Sequence, residues 1–193
     1  MTSVVEQTTR GFDDARATVL QETEGLLSSV AAEEWDRAGA LIKEARRIFV
    51  IGNGRSGLAA QMAAMRLMHL GLQVHVAGEV TAPAIGENDL LIAVSGSGTT
   101  LSVVSAAQTA KKVGAKVLSV TTTSRAPLAE HADESLVLPA ANKQDHSAAR
   151  TQQYSGSLFE QSVLLAFDAL FHALWAEHEQ SAEQLWTRHA NIG

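Results

Sequence analysis

The side chains able to do chemistry in this sequence gather just after short apolar runs, and most of them are hydroxyls. Residues 90–94 are apolar throughout, and the chain then passes into Ser95-Gly96-Ser97-Gly98-Thr99-Thr100 before helical spacing resumes at Leu101, Val104, Ala107 and Val113. A strand, a Ser/Gly turn and a helix start direct free backbone N–H groups and the positive end of a helix dipole at one point, which makes an anion cradle. Two more turns of similar make-up follow apolar runs. Gly52-Asn53-Gly54-Arg55-Ser56-Gly57 comes after residues 48–51, with Arg55 placed to face whatever the turn holds. Thr121-Thr122-Thr123-Ser124 comes after residues 116–120. A phosphate monoester presents three terminal oxygens, and hydroxyls with backbone N–H groups satisfy them without a metal. Ser, Gly and Thr also populate ordinary turns and caps, but three such turns at three strand ends favour phosphate.

Two signals carry rival readings. Gly52–Gly57 matches G-x-G-x-x-G, and Glu79 lies about 20 residues beyond it, where a dinucleotide fold places its ribose-binding acid. Against a dinucleotide stand the short chain and the second, redundant phosphate-type turn. Glu160 closes Ser157-Leu158-Phe159-Glu160, an S-x-x-E capping box in which the carboxylate merely returns to the cap N–H. Helical spacing from Glu160 also gives Val163, Leu164, Phe167 and Phe171, which puts the carboxylate on an apolar face. A carboxylate that has lost water there is a stronger general base near neutral pH. On the residues alone both readings of Glu160 stand. His69, His75, His131, His146, His172, His178 and His189 show no metal spacing such as H-E-x-x-H and read as packed or surface rings. Asn191 and His189 stand near the end of the chain, where fraying is ordinary. Arg125 and Arg150 read as solvated.

The elements that must position these groups alternate. Helical patterns over residues 2–28 and from a Ser29 cap to Arg47 precede the first apolar run. Strands are expected at 48–51, 72–76, 90–94, 116–120 and 135–138, with helices between them; Met62, Met65 and Met68 read as a core stripe of the helix ending near Leu70. Such alternation predicts a three-layer α/β/α sandwich with a five-stranded parallel sheet and right-handed crossovers, ligands binding at the carboxyl ends of the strands. A long polar loop over 140–154, carrying Lys143, Asp145, His146 and Arg150, is uncommon unless it is functional. A strongly apolar helix over 157–175 and a last helix from about Ser181 complete the chain. Without repeats or a linker, it reads as one domain: N-terminal helices over 1–47, the parallel core over 48–138, and loop plus helices over 139–193.

Composition narrows the classes. Of 193 residues, 46% are hydrophobic, which excludes global disorder, and a net charge of −6 with dispersed acids and bases excludes a nucleic-acid footprint. With no cysteine, disulfides and thiolate metal sites are excluded and a reducing compartment fits. No apolar run reaches ~18–20 residues and no signal-peptide pattern opens the chain, so a cytoplasmic protein that binds no membrane is expected.

The turns GNGRSG and SGSGTT, with 121–124 and Pro127-Leu128-Ala129 behind them, resemble the sugar isomerase (SIS) domain family from Ile48 onward. MRLMHLG (65–71), GEVTAPAI (78–85), SGSLFEQ (155–161) and RHANIG (188–193) resemble, within that family, the 6-phospho-3-hexuloisomerases, which usually end in RHANLE. The resemblance implies a flavodoxin-like sheet order and interconversion of D-arabino-3-hexulose 6-phosphate with fructose 6-phosphate through a cis-enediol, in the ribulose monophosphate route of formaldehyde fixation. It implies a substrate site of Asn53, Gly54, Ser56, Ser95, Gly96, Ser97 and Thr100, with His69 nearby. It breaks the tie at Glu160 in favour of the general base, with Arg55 and His189 as donors to the enediolate and His69 as the second choice to His189. His189 is expected from a neighbouring subunit of a homodimer or homotetramer with shared sites. No metal or nicotinamide cofactor is implied. A phosphosugar-binding module without turnover and a SIS isomerase for another sugar phosphate are the alternatives; the first usually carries a DNA-binding helical domain, of which residues 1–47 show no basic recognition-helix pattern.

Overall fold

Short apolar runs rich in β-branched residues bury both faces only when helices cover a sheet above and below. A computed structural model describes the backbone of residues 4–145 and 150–192, and side chains within these from residue 11 onward. His146 and Gly193 lie outside the described residues. Five strands, β1 (Ile48–Gly52), β2 (Val74–Val76), β3 (Leu90–Val94), β4 (Lys116–Thr121) and β5 (Glu134–Val137), form one parallel sheet in the order β2-β1-β3-β4-β5. Ile48 pairs with Val74 on one side and Leu90 on the other, and Leu90 with Lys116. Because successive side chains alternate between faces, Ile48, Val50, Leu90, Ile92, Val94, Leu118 and Val120 pack into a core on one face. Phe49, Leu91, Ala93 and Val117 build a smaller one on the other.

The helices are α1 (Val4–Ser28), α2 (Ala32–Glu44), α3 (Gly54–His69), α4 (Leu101–Lys112), α5 (Ser157–Glu177) and α6 (Ala182–Trp186). Residues from α1, α2, α3, α5 and α6 enter the larger core, while α4 covers the other face, giving the expected three layers. The chain runs outward from β1 to β2 and then returns to place β3 on the other side of β1. The crossovers on either side of that point leave in opposite directions, and a crevice opens at the carboxyl ends of β1 and β3. At 21 residues with a mean hydropathy of 1.2, α5 has the length and composition of a membrane span, but half of its most apolar window is buried inside the protein.

Several local expectations shift. Ser29 does not cap α2: its hydroxyl donates back to Leu26 O at 2.6 Å, and Ala31 stands at the cap without a side-chain bond. The second and fifth strands run over 74–76 and 134–137, and the last helix ends at Trp186. Met62 and Met65 are not core; they are 52% and 58% exposed. The buried face of α3 is instead Ala59, Ala60, Ala63, Ala64 and Leu67, and the small alanine side chains allow a close approach to α5 and the sheet. The methionines are rotated outward beside the exposed Leu58.

Entry to β3 is fixed by one carboxylate. Asp89 is buried, and its oxygens accept from Arg46 Nε and Nη2 (both 3.2 Å), Arg47 Nε (3.2 Å) and Nη2 (2.7 Å), and Gly86 N (2.8 Å). Burial acts to raise the Asp89 carboxyl, but the Arg47 and Gly86 hydrogen bonds and the two guanidinium charges outweigh it and hold it below the usual carboxylate range. A folded-state value depressed in this way stabilises above the unfolded pKa and is lost as pH falls through the folded one. Breaking a buried ion pair costs roughly 3–5 kcal/mol, and the partly solvated guanidiniums reduce that here. Asp89→Ala is expected to lower unfolding stability in urea by about 2 kcal/mol at pH 7, with the difference from the unsubstituted protein shrinking below pH 4.

Candidate active site

The crevice beside β1 and β3 is where two helices begin. Asn53, in extended conformation, starts α3 and Thr100 starts α4; neither makes a side-chain bond to its own first turn, so backbone N–H groups at both helix starts are free for an anion. Asn53 Nδ2 donates to Ser102 Oγ at 3.0 Å and ties the two helix starts together. Asn53, Ser56, Val94, Ser95, Gly96, Ser97, Thr100 and Lys143 line a recess of about 100 Å³ at that point. Ser95 and Thr100 share a hydrogen bond between hydroxyls at 2.9 Å, and Ser97 Oγ accepts from the Thr99 hydroxyl at 2.9 Å and Thr99 N at 3.3 Å.

Glycine is required in the turn. Gly98 has φ +61, and a Cβ there would collide with Ala126; one on Gly96 would come 3.1 Å from the Phe159 ring. The G-x-G-x-x-G pattern has a packing explanation: a Cβ on Gly57 would lie 2.5 Å from Gly52 O, so its last glycine lets α3 sit close on β1. The 121–124 run differs from expectation. Thr121 and Thr122 donate their hydroxyls to Gly96 O at 3.2 and 2.8 Å, and Thr122 N donates to the same oxygen at 3.1 Å. These threonines brace the 95–100 turn from behind and do not line the recess.

The capping box at Ser157 does not form. Gly156, with φ +85, stands at the cap of α5 without a side-chain bond, and the Glu160 carboxylate points elsewhere. Only 6% exposed, it takes Arg55 Nε on Oε2 at 2.6 Å and Lys143 Nζ on Oε1 at 3.0 Å. Arg55 comes from the first turn of α3 and Lys143 from the loop after β5. The lysine reaches Glu160 by lying across Gly156: a Cβ there would come 2.9 Å from Lys143 Cε and 3.2 Å from Cγ. A second recess of about 260 Å³ opens over Glu160, lined by Arg55, Leu58, Ala59, Met62, Gln161 and Leu164. Gln161 Oε1 is buried without a hydrogen-bond partner among the described residues.

The structure therefore brings Asn53, Ser56, Ser95, Gly96, Ser97 and Thr100 together at one recess and sets Arg55 and Glu160 beside it. Gly54, with φ +58 and open space around it, begins α3 but is not among the recess residues. His69 and His189 are brought to each other, not to Glu160 in the same chain. Their rings stack at 4.6 Å between centroids, with Trp186 at 4.4 Å from His189. Arg188 holds this end of the chain by donating to His69 O at 3.1 Å and Gln180 Oε1 at 3.2 Å. Arg55 and His69 stand at opposite ends of α3, about 21 Å apart at a rise of ~1.5 Å per residue. The residue that sequence reasoning missed is Lys143. Its only signal was a place in a long polar loop after the last strand, at the edge where ligands bind.

A flavodoxin-like sheet with a hydroxyl-lined recess at its switch point defines the class. The SIS domain model matches residues 41–172, and the chain belongs to the SIS domain family. More particularly, the chain is 56% identical over 146 residues to a 3-hexulose-6-phosphate isomerase of Mycobacterium gastri, covering 76% of this chain and 73% of that one. It is 37% identical over 177 residues to a 3-hexulose-6-phosphate isomerase of Bacillus subtilis, covering 91% and 96%. A crystal structure of a Methanococcus jannaschii protein, for which a 3-hexulose-6-phosphate isomerase function has been inferred, matches with a TM-score of 0.81 at 28% identity, over 93% of this chain and 99% of that one.

Burial lowers the His69 pKa, and the neighbouring His189 and Arg66 push it the same way. A proton is bound more readily by the unfolded chain, so the stabilising contribution of this ring is present above the ordinary value of about 6.5 and is lost as pH falls below it. NMR titration of the imidazole protons is expected to place His69 below its ordinary value. In His189→Ala it should move partway back, because burial remains.

Proposed function

We propose that this protein is a ketose-phosphate isomerase that interconverts D-arabino-3-hexulose 6-phosphate and fructose 6-phosphate. The observation that carries the reading is the adjacency of a hydroxyl-lined anion recess and a buried carboxylate, within a chain 56% identical to a 3-hexulose-6-phosphate isomerase. Ser56, Ser95, Ser97 and Thr100, with Asn53 and the amides around Gly54 and Gly96, hold the 6-phosphate. Glu160 removes the proton from C2, the C–H electron pair becomes the C2–C3 double bond of a cis-enediol, and the same carboxylate returns a proton to C3. Arg55, already on Glu160 Oε2, is placed to follow the developing oxygen charge.

His189 and His69 cannot serve the Glu160 of their own chain across the length of α3. A neighbouring subunit would supply His189 from its tail, with His69 at the end of its α3 as the second choice, which makes the enzyme a homodimer or homotetramer with shared sites. The exposed apolar strip of Leu58, Met62 and Met65 beside the Glu160 recess supports such a contact. The whole chain then acts as one domain, in the cytoplasm, and the fructose 6-phosphate it forms belongs to the ribulose monophosphate route. Neither a metal nor a nicotinamide enters this mechanism.

Purified enzyme is expected to convert the hexulose phosphate in the presence of EDTA. Glu160→Gln should lose about 10³-fold in kcat while still binding inorganic phosphate. His189→Ala should also be impaired, and unfolding and refolding it together with Glu160→Gln should restore part of the activity, because mixed oligomers contain intact shared sites. Near-normal turnover by Glu160→Gln would overturn the base assignment, and absence of complementation would overturn delivery of His189 by a partner.

A further inference from the structure

Both oxygens of Glu160 are occupied by cations, Oε2 by Arg55 and Oε1 by Lys143. A carboxylate with a guanidinium against one oxygen and an ammonium against the other is poorly placed to take a proton from carbon. One cation must leave before chemistry, and the two are not equivalent. Arg55 lines the recess over Glu160, where the sugar carbons would lie, and so can remain beside the reacting oxygens. Among the described residues, Lys143 is the only cationic one lining the smaller recess with Ser56, Ser95, Ser97 and Thr100. It therefore borders the anion recess while its ammonium is spent on Glu160.

We propose that Lys143 couples occupancy of the anion recess to release of the Glu160 carboxylate: a phosphate dianion seated at residues 95–100 draws the ammonium off Oε1 and unmasks the base. The inference rests on the phosphate reading of that recess and assigns a role to a residue outside the serine and threonine turns. A dianion offers the ammonium about twice the Coulomb attraction of a carboxylate at equal distance. A lysine head on a four-carbon stem is a compact charge with rotatable donors, suited to such an exchange. The stem lies along Gly156, where no side chain obstructs it, so the head can swing while the stem keeps its track. Once Oε1 is free it accepts the C2 proton. The C–H pair forms the C2–C3 double bond, and the C3 oxygen takes up the displaced carbonyl pair with a proton from a donor beside it. In the second half the C2 hydroxyl gives its proton to the group that protonated the C3 oxygen, its O–H pair becomes the C2 carbonyl, and the C2–C3 pair takes the proton from Glu160 at C3. Without phosphate the carboxylate stays capped, so an unphosphorylated ketose reaches a masked base. Selection for the phosphorylated sugar thus acts on the chemical step as well as on binding.

The test separates the two parts of the sugar phosphate. Unphosphorylated D-arabino-3-hexulose is supplied with and without phosphite dianion, and isomerisation is followed by NMR. Saturable activation of about tenfold or more by phosphite is expected in the unsubstituted enzyme, and less than about twofold in Lys143→Met, which keeps the stem and removes the charge. The same fold-activation in Lys143→Met, or none in the unsubstituted enzyme, overturns the proposal. A second measurement needs no variant: the ¹³C resonance of the Glu160 carboxylate, assigned with Glu160→Gln, should move when inorganic phosphate is added. An unmoved resonance at phosphate concentrations that perturb the amides of residues 95–100 overturns the proposal and leaves the phosphate site intact. Amides that do not respond to phosphate overturn the phosphate reading and the proposal with it.

Discussion

A carboxylate with 6% of its side chain exposed needs partners, and meeting that need at Glu160 organises the surrounding parts. Arg55 must come from the start of α3, which fixes where that helix begins relative to α5. Lys143 must come from the loop after β5, which fixes where Lys143 passes Gly156. Gly156 must be glycine twice over, because its φ of +85 is left-handed and because the lysine stem occupies the space of a Cβ. Phe159, one residue before, packs on Gly96, so the ring that supports the 95–100 turn and the carboxylate beside the recess belong to the same turn of α5. The proposed phosphate anchor and the proposed base are therefore set at a fixed offset by one helical turn.

The layered architecture was legible from the sequence because its signal is local. Continuous apolar runs as short as 90–94, closed by glycine- and hydroxyl-rich turns, read as strands covered on both faces, and the turns mark their carboxyl ends. Sidedness was harder. Met62 and Met65 were expected inside from their helical spacing, yet α3 buries its alanines, since close helix–sheet approach favours small residues and Gly57 demands that approach. Thr121 and Thr122 have the composition of a ligand turn but donate to Gly96 O, a long-range pairing that no local pattern encodes. The capping-box motif at Ser157 was misleading for a similar reason. The helix begins one residue earlier than the motif implies, with Gly156 at its cap, and the Glu160 carboxylate pairs with Arg55 and Lys143, both distant in sequence. Lys143 is the extreme case, since its place in the site depends on a glycine 13 positions further on and on a loop path with no regular periodicity.

The length of α3 separates two chemical regions. Its first turn supplies Ser56 to the recess and Arg55 to Glu160; its last residue, His69, is buried against His189 and carries the contact with Arg188. A rigid helix cannot bring its two ends together, so any shared use of these groups requires a second copy of α3 in the reverse sense. Two-fold symmetry supplies that sense without further design, because residue i of one copy then meets residue j of the other and the reverse holds as well. Leu58, Met62 and Met65 lie along the outer face between the two regions, where a symmetric partner would cover them.

With a net charge of −6, the protein has no global positive field to gather an anionic substrate. Affinity for a phosphate must be local, and the local sources divide by their mobility. The two helix starts and the hydroxyls of Ser56, Ser95, Ser97 and Thr100 are fixed by the sheet, and their dipoles are equally available whether or not Glu160 is paired. Among the described residues, Lys143 is the one full charge lining the recess, and in the resting arrangement that charge already pairs with a carboxylate. Attraction for the phosphate and ionic pairing of Glu160 therefore draw on the same ammonium, and strengthening one weakens the other. A fixed-dipole cradle without such a lysine would bind phosphate with no consequence for the neighbouring carboxylate; sharing a single cation makes binding and chemistry interdependent.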